Sequence, residues 1–349
     1  MEKLNVVVFF GGCSPEYSVS LSSASGVILN LDKEKYNPLM VGITSDGVWY
    51  YYTGSVDKLL NDTWNNPDDC IPAVLSPSRG ENALLLLTEE GVRSIHIDVA
   101  FPVLHGQNGE DGTLQGLLEL AGIPIAGCGT LASALSMDKD RAHKLAGLEG
   151  VNIPKSMVLE KETPFDRGAA FADAIGYPLY VKPVKAGSSY GVTKVTAPSQ
   201  LSEAITLAFR YDDQVILEEN IEGFEVGCAV LGNRELTVGE VDEIELSSGF
   251  FDFTEKYTLK TSAIHVPARI DPAKAQEIKE TAKCIYRALG CKGFARVDMF
   301  LTPEGKVVFN EANTIPGFTS HSRYPGMMKA AGHSFTEILT RIIELAFEE

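Results

Sequence analysis

No apolar run in this 349-residue chain reaches the roughly twenty residues that a membrane span requires. Met1-Glu-Lys-Leu-Asn5 passes directly into a strand pattern instead of a signal-peptide core, so a cytoplasmic protein with no membrane partner is expected. Basic charge is scarce. Lys and Arg number 30 against 47 Asp and Glu, a net charge of -17, which argues against nucleic acid or anionic lipid as a partner, because their phosphates call for a basic surface. The six cysteines (Cys13, Cys70, Cys128, Cys228, Cys284 and Cys291) include no Cys-x-x-Cys pair, and most lie among apolar residues. That excludes a zinc ribbon and a disulfide framework and predicts reduced thiols used for packing. Internal repeats and low-complexity linkers are also missing. A chain of this length can bury two or three cores. Any phosphate site in so acidic a protein must gather its lysines locally.

What is present is concentrated in a few segments. Phe294-Ala-Arg296-Val-Asp298-Met-Phe300 and Val308-Phe-Asn310-Glu311-Ala-Asn313 read as adjoining strands, with Pro303-Glu-Gly305 as the hairpin turn between them. Asp298, Glu311 and Asn313 would then converge as hard oxygen ligands of the kind Mg2+ accepts, completed by water and substrate phosphates. The alternative for the same residues is a structural ion pair between Arg296 and Asp298 or Glu311. A second segment, His105-Gly-Gln-Asn-Gly109-Glu110-Asp111-Gly112-Thr, leaves the apolar run Ile97 to Leu104 and enters a helix near Thr113. Its glycines let the backbone approach a ligand, and the helix start offers N–H groups to an anion.

The His-Gly-x-x-Gly-Glu-Asp-Gly string and the string Glu311-Ala-Asn313-Thr-x-Pro-Gly317-x-Thr-Ser-x-Ser322, some two hundred residues apart and in this order, resemble those of the D-alanine-D-alanine ligases and their vancomycin-resistance relatives. The resemblance covers nearly the whole chain. It implies a mixed α/β and α+β chain with a three-domain ATP-grasp fold: an N-terminal α/β domain over 1-135, a central lobe over 136-220, and a C-terminal lobe over 221-349 with the metal and oxyanion groups. It also implies ATP and Mg2+ as cofactors, with Mn2+ an acceptable substitute, small amino-acid substrates and a homodimer.

By the same resemblance, Lys139 and Lys182 contact the ATP phosphates, and Lys256 reaches the γ-phosphate. Glu218, Glu219, Asn220 and Ile221 form the hinge beside adenine, Glu225 holds the ribose, and Asn310 and Glu311 complete the nucleotide set. Glu219 departs from the lysine common at that place in the family. Glu16 would take the ammonium of the first amino acid, although an acid before a helix also compensates the helix dipole. The loop Lys185-Ala-Gly187-Ser188-Ser189-Tyr190-Gly191 has the composition of a phosphate cover and equally that of a solvated hairpin loop. Ser188 and Tyr257, linked to Glu16 in the relatives, would close the loop segment over the site. Arg296 and the Gly317 N–H are the oxyanion donors; His105 and Ser322 serve the substrates.

For the second substrate, the sequence points to D-serine. Gly249 to Tyr257 resembles the D-serine-adding resistance ligases, with Phe251 where housekeeping enzymes commonly carry tyrosine and without the histidine of the D-lactate enzymes. Asp242, in Asp242-Glu243-Ile-Glu245, is a candidate acceptor for the serine hydroxyl. The expectation is therefore a ligase that joins D-alanine to D-serine through a D-alanyl phosphate, for modified peptidoglycan precursors and vancomycin resistance. The alternative is the housekeeping D-alanine-D-alanine ligase. Outside these motifs, Thr53 to Ser78 reads as a surface excursion, Asp242 to Lys260 as one long polar-aromatic segment, and Pro272 to Leu289 as a scaffold helix capped by Asp271.

Overall fold

The computed structural model describes residues 2–246 and 262–348. The apolar run Val6 to Phe10 is fully buried, as a strand covered on both faces must be, and it makes the centre of the first sheet. That sheet comprises β1 (Leu4–Gly11), β2 (Tyr36–Ile43), β3 (Trp49–Tyr52), β4 (Cys70–Leu75), β5 (Ala83–Thr88), β6 (Gly91–His96) and β7 (Val99–Pro102), in the order β6-β5-β4-β3-β2-β1-β7. β1 runs parallel to both β2 and β7, so their C-terminal ends present the loops that begin at Gly11 and at Val103 on the same side. Ligands bind at that carboxyl edge in open α/β sheets.

A second sheet has the order β10-β9-β11-β8, from β8 (Ser156–Glu160), β9 (Leu179–Pro183), β10 (Thr193–Val195) and β11 (Gln214–Glu219). Helices Phe165–Ile175 and Leu201–Ala208 cover it through Ala172, Leu201, Ala204 and Ile205. The third sheet contains β12 (Phe224–Gly232), β13 (Leu236–Val238), β14 (Asp242–Leu246), β15 (Ser262–His265), β16 (Phe294–Leu301) and β17 (Val307–Asn313), in the order β15-β14-β12-β16-β17 with β13 beside β12. Helix Pro272–Ala288 lays Ile278, Ala282 and Ile285 against it, and Asp271 caps that helix by accepting the Ala273 N–H at 2.8 Å.

One face of the first sheet packs on helix Thr113–Ala121 through Leu114 and Leu118. The other face shares a core with the far end of the chain: Val6, Val8 and Phe10 belong to the same buried cluster as Phe294, Phe318, Tyr324, Ile338 and Ile342. The last helix, Phe335–Leu345, begins with the capping box of Ser334 and Glu337.

Two expectations need correction. The stretch read as a surface excursion is built into the domain: β4 pairs with β3, and Trp64 is wholly buried with its ring 5.0 Å from Phe10 and 5.9 Å from Tyr52. A single aromatic anchor among Asn, Asp and Pro gives no periodicity from which burial can be read. The segment from Asp242 also begins as a strand, β14, paired with β12 and β15.

Candidate active site

The β16–β17 hairpin turns where Gly305 N–H and Lys306 bond with Thr302, and its register sets Asp298 opposite Glu311 and Arg296 opposite Asn313. Both readings of this segment are represented. Arg296 donates Nε–H (2.8 Å) and Nη2–H (2.7 Å) to Asp298, while Asn313 donates Nδ2–H to it at 3.0 Å, so the ion pair sits among the residues proposed for the cation. Among the described residues, no cluster of three His, Cys, Asp or Glu suited to a metal occurs. A cation here would rest on two carboxylates and an amide, and phosphate oxygens would complete its shell. That donor set fits a hard divalent ion. Asp298 is 1% exposed and already receives two arginines, since Arg323 Nη2 lies 3.4 Å from its Oδ1; Glu311, half-buried, would therefore carry more of the coordination.

The glycine loop lies against the start of helix Tyr17–Asn30. Glu16, at the N-cap position of that helix, accepts a hydrogen bond from the Ser188 hydroxyl. Two glycines make this approach feasible, because a Cβ at Gly106 would fall 2.6 Å from Glu16 Oε2 and one at Gly187 would fall 2.7 Å from it. His105 is buried, with Nε2 3.0 Å from Ser23 Oγ. Burial, with Arg296 nearby, drives its pKa down to about 4 against a backbone bond at Ile315, so the imidazole is neutral at pH 7. Glu110 Oε2 accepts Gly106 N–H at 2.8 Å and its Oε1 accepts Ile315 N–H at 3.2 Å. Burial and the neighbouring Glu16 and Glu311 push its carboxyl up to about 8, against the pull of those two amides. Ser322 Oγ accepts from Thr319 N–H at 2.9 Å, and a Cβ on Gly317 would stand 2.8 Å from that hydroxyl.

Between the second and third sheets lies a cavity of about 610 Å³, in the range that holds small molecules and cofactors. Lys139, Lys182, Ser188, the 218–221 hinge, Glu225, Asn310 and Glu311 all line it, which brings most of the expected nucleotide residues to one place. Lys139 donates to the Ala186 carbonyl at 2.7 Å, and Lys182 donates to Glu218 at 2.5 Å. Burial pushes the Glu218 carboxyl up, but Lys182, His143 and Lys139 outweigh it and hold the group below its ordinary value. Glu219 turns toward the backbone of Lys155, accepting its N–H at 2.8 Å. Glu225 accepts from Arg323 Nη1 at 2.6 Å, and fully buried Asp242 accepts from Arg323 Nε and Nη2 at 2.7 and 2.8 Å. Phe251, Lys256 and Tyr257 lie outside the described residues.

Sequence comparisons agree with this geometry. Residues 5–128 match the model "D-ala D-ala ligase N-terminus", and residues 145–344 match "D-ala D-ala ligase C-terminus". The chain belongs to the D-alanine-D-alanine ligase family. A crystal structure of the VanG D-Ala:D-Ser ligase from Enterococcus faecalis is 56% identical, with a TM-score of 0.90, covering 99% of this chain and 100% of that one. The vancomycin/teicoplanin A-type resistance protein VanA of Enterococcus faecium is 45% identical over the full length of both chains. A D-alanine-D-alanine ligase of Caldicellulosiruptor bescii is 44% identical over 100% of this chain and 96% of its own. Family membership brings ATP and a divalent metal as the general requirements of these ATP-dependent ligases.

Three residues of this ligase were not singled out from sequence. Arg323 follows Ser322 directly and opens helix Arg323–Ala330, and a lone arginine in Arg323-Tyr-Pro-Gly-Met-Met signals a buried partner. Glu110 stands within the quoted glycine string. Ser23 carries no local signal at all, because among the described residues its hydroxyl bonds to partners distant in sequence, His105 and Phe318.

Proposed function

We propose that this chain is an ATP-dependent ligase that joins D-alanine to D-serine through a D-alanyl phosphate, for modified peptidoglycan precursors and glycopeptide resistance. The observation that carries the D-serine assignment is the buried Arg323–Asp242 pair next to Asp298. In this reading Asp242 and Arg323 would offer polar partners to the serine hydroxyl, and a site that hydrogen-bonds a hydroxyl discriminates against the analogue that lacks it. The high identity to a D-Ala:D-Ser ligase supports the same reading.

The chemistry starts from a carboxylate, which is a poor acyl donor until ATP activates it. In this reading Glu16 holds the ammonium of D-alanine, and Lys139 and Lys182 neutralise the phosphates while a D-alanine carboxylate oxygen attacks the γ-phosphorus and ADP departs. A divalent ion, Mg2+ in this proposal, supplies charge neutralisation on the transferring phosphoryl group when bound, held by Asp298, Glu311 and Asn313. The free amine of D-serine then attacks the acyl carbon. Arg296 and the Gly317 N–H receive the developing oxyanion, and collapse releases phosphate and the dipeptide. Ser322 holds the second carboxylate, and the Ser188 loop keeps water from the acyl phosphate.

In this reading the chain forms three units, 1-135, 136-220 and 221-349, each built around one of the three sheets, in a cytoplasmic homodimer. The deciding experiment is competition: ATP with equal D-alanine and D-serine, the products identified by mass spectrometry. Predominant D-alanyl-D-serine is expected. Predominant D-alanyl-D-alanine would assign the housekeeping activity instead.

A further inference from the structure

The segment Thr314-Ile-Pro-Gly317-Phe318 is anchored at two points by residues far away in sequence. Ile315 N–H is held by Glu110 Oε1 at 3.2 Å, and Phe318 N–H is held by Ser23 Oγ at 3.3 Å. Pro316 and Gly317 stand between the two anchors, and Pro316 has no N–H to bond and a fixed φ. Glu110 reaches back at the same time, its Oε2 accepting Gly106 N–H at 2.8 Å, while Ser23 Oγ contacts His105 Nε2 at 3.0 Å. Both anchors therefore tie the Gly317 segment to the His105-Gly106 turn, one on each side of the amide that the functional reading assigns to the oxyanion.

We propose that Glu110 is a positioning residue for the peptide-forming half of the reaction, one carboxylate bridging Gly106 N–H and Ile315 N–H so that the Gly317 N–H is aimed where the tetrahedral oxyanion forms. This rests on the ligase reading above. Only an ionised carboxyl of this length offers both oxygens as acceptors, so the split is read above its raised value of about 8. An amide presents one acceptor and one donor, so a glutamine would leave one of the two N–H groups facing an NH2. Aspartate is one methylene short of spanning both partners. Formation of D-alanyl phosphate makes no oxyanion at the acyl carbon, so it does not need the Gly317 N–H. The attack of the amine does. Loss of one oxyanion-hole donor costs about 10²- to 10³-fold in kcat, and partial misplacement costs less.

The test separates the two halves. Scrambling of ¹⁸O from the β,γ-bridge of ATP into the β-nonbridge positions, with D-alanine present, reports reversible acyl phosphate formation; dipeptide release reports the second half. Glu110→Gln is expected to lower kcat for dipeptide about 10- to 100-fold while scrambling stays within about threefold of the parent and the KM for ATP is unchanged. Ser23→Ala, which removes the opposite anchor without a charge change, should show the same split, and it serves if Glu110→Gln fails to fold. Equal loss of scrambling and dipeptide in either folded variant, or parental dipeptide formation in Glu110→Gln, overturns the role of Glu110 and leaves the ligase reading standing. A parent protein with neither scrambling nor dipeptide would remove the ligase reading itself.

Discussion

Replacing Arg323 by methionine tests how the buried charges beside Asp298 are held. The guanidinium gives two hydrogen bonds to Asp242, at 2.7 and 2.8 Å, one to Glu225 at 2.6 Å, and sits 3.4 Å from Asp298. Asp242 is 0% exposed, and among the described residues Arg323 is its counter-ion, so the substitution leaves the charge buried without that partner or water. Removing one partner of such a pair costs about 3–5 kcal/mol, most of it the uncompensated charge. Asp298 keeps Arg296, and Glu225 is partly exposed, so neither should add much to that cost. Asp242→Asn in the Arg323→Met background should restore most of the loss, leaving a coupling of about 2–3 kcal/mol between the two sites. Urea unfolding of the parent, both single variants and the double variant measures it. Additive effects, or a cost below about 1 kcal/mol for Arg323→Met, would mean that Asp242 is not charged against Arg323 and would refute the reasoning. The product ratio from equal D-alanine and D-serine, read on the same variants, should move away from D-alanyl-D-serine.

Acid should weaken the fold through His105. Its folded pKa of about 4 lies below the ordinary 6.5, so the native state binds this proton less readily than the unfolded chain. The associated stability is complete above the unfolded value and is lost as pH falls from there toward the folded one, about 3 kcal/mol in total. The difference in denaturation midpoint between the parent and His105→Asn should show that slope between pH 7 and 4, which separates it from the opposite trend that the raised Glu110 carboxyl gives. Glu311→Gln should abolish ADP formation with the fold intact, because Asp298 is already occupied by arginines; near-parental turnover would end the metal assignment. Proteolysis within 185–191 should slow when ATP and D-alanine are added, since the Ser188 hydroxyl bonds Glu16 across the site. Unchanged cleavage at saturating ligand would argue against a closing loop.

The parts of this protein that were legible in its sequence are those with a short spatial reach. The run Val6 to Phe10, the Asp271 cap, the Ser334–Glu337 box and the 296–313 hairpin all declare themselves within a few residues, and the hairpin alone places Asp298, Glu311, Asn313 and Arg296 together. The residues expected at the nucleotide rest on family resemblance, and the cavity collects most of them. What escaped depends on partners far along the chain. Arg323 takes its meaning from Asp242, Ser23 from His105 and Phe318, and Trp64 from Phe10 and Tyr52. Local patterning has no term for such pairs. β14 was missed for a related reason: its Asp and Glu residues suggest a solvated segment until Arg323 and Arg269 are seen to neutralise them.

The buried cluster that unites Val6, Val8 and Phe10 with Phe318, Ile338 and Ile342 has a consequence for how the protein is made. A ribosome delivers the first sheet early, but one of its faces stays bare until the last forty residues emerge from the exit tunnel. During that interval the growing chain carries an exposed apolar surface, the kind of species that aggregates or engages chaperones. The second sheet, whose core among the described residues is drawn from between 157 and 217, has no such debt and can close while synthesis continues. Clipping the C-terminal helix should therefore unsettle the oldest part of the chain first. A stop codon a few turns early would leave a protein whose beginning, not its end, is misfolded.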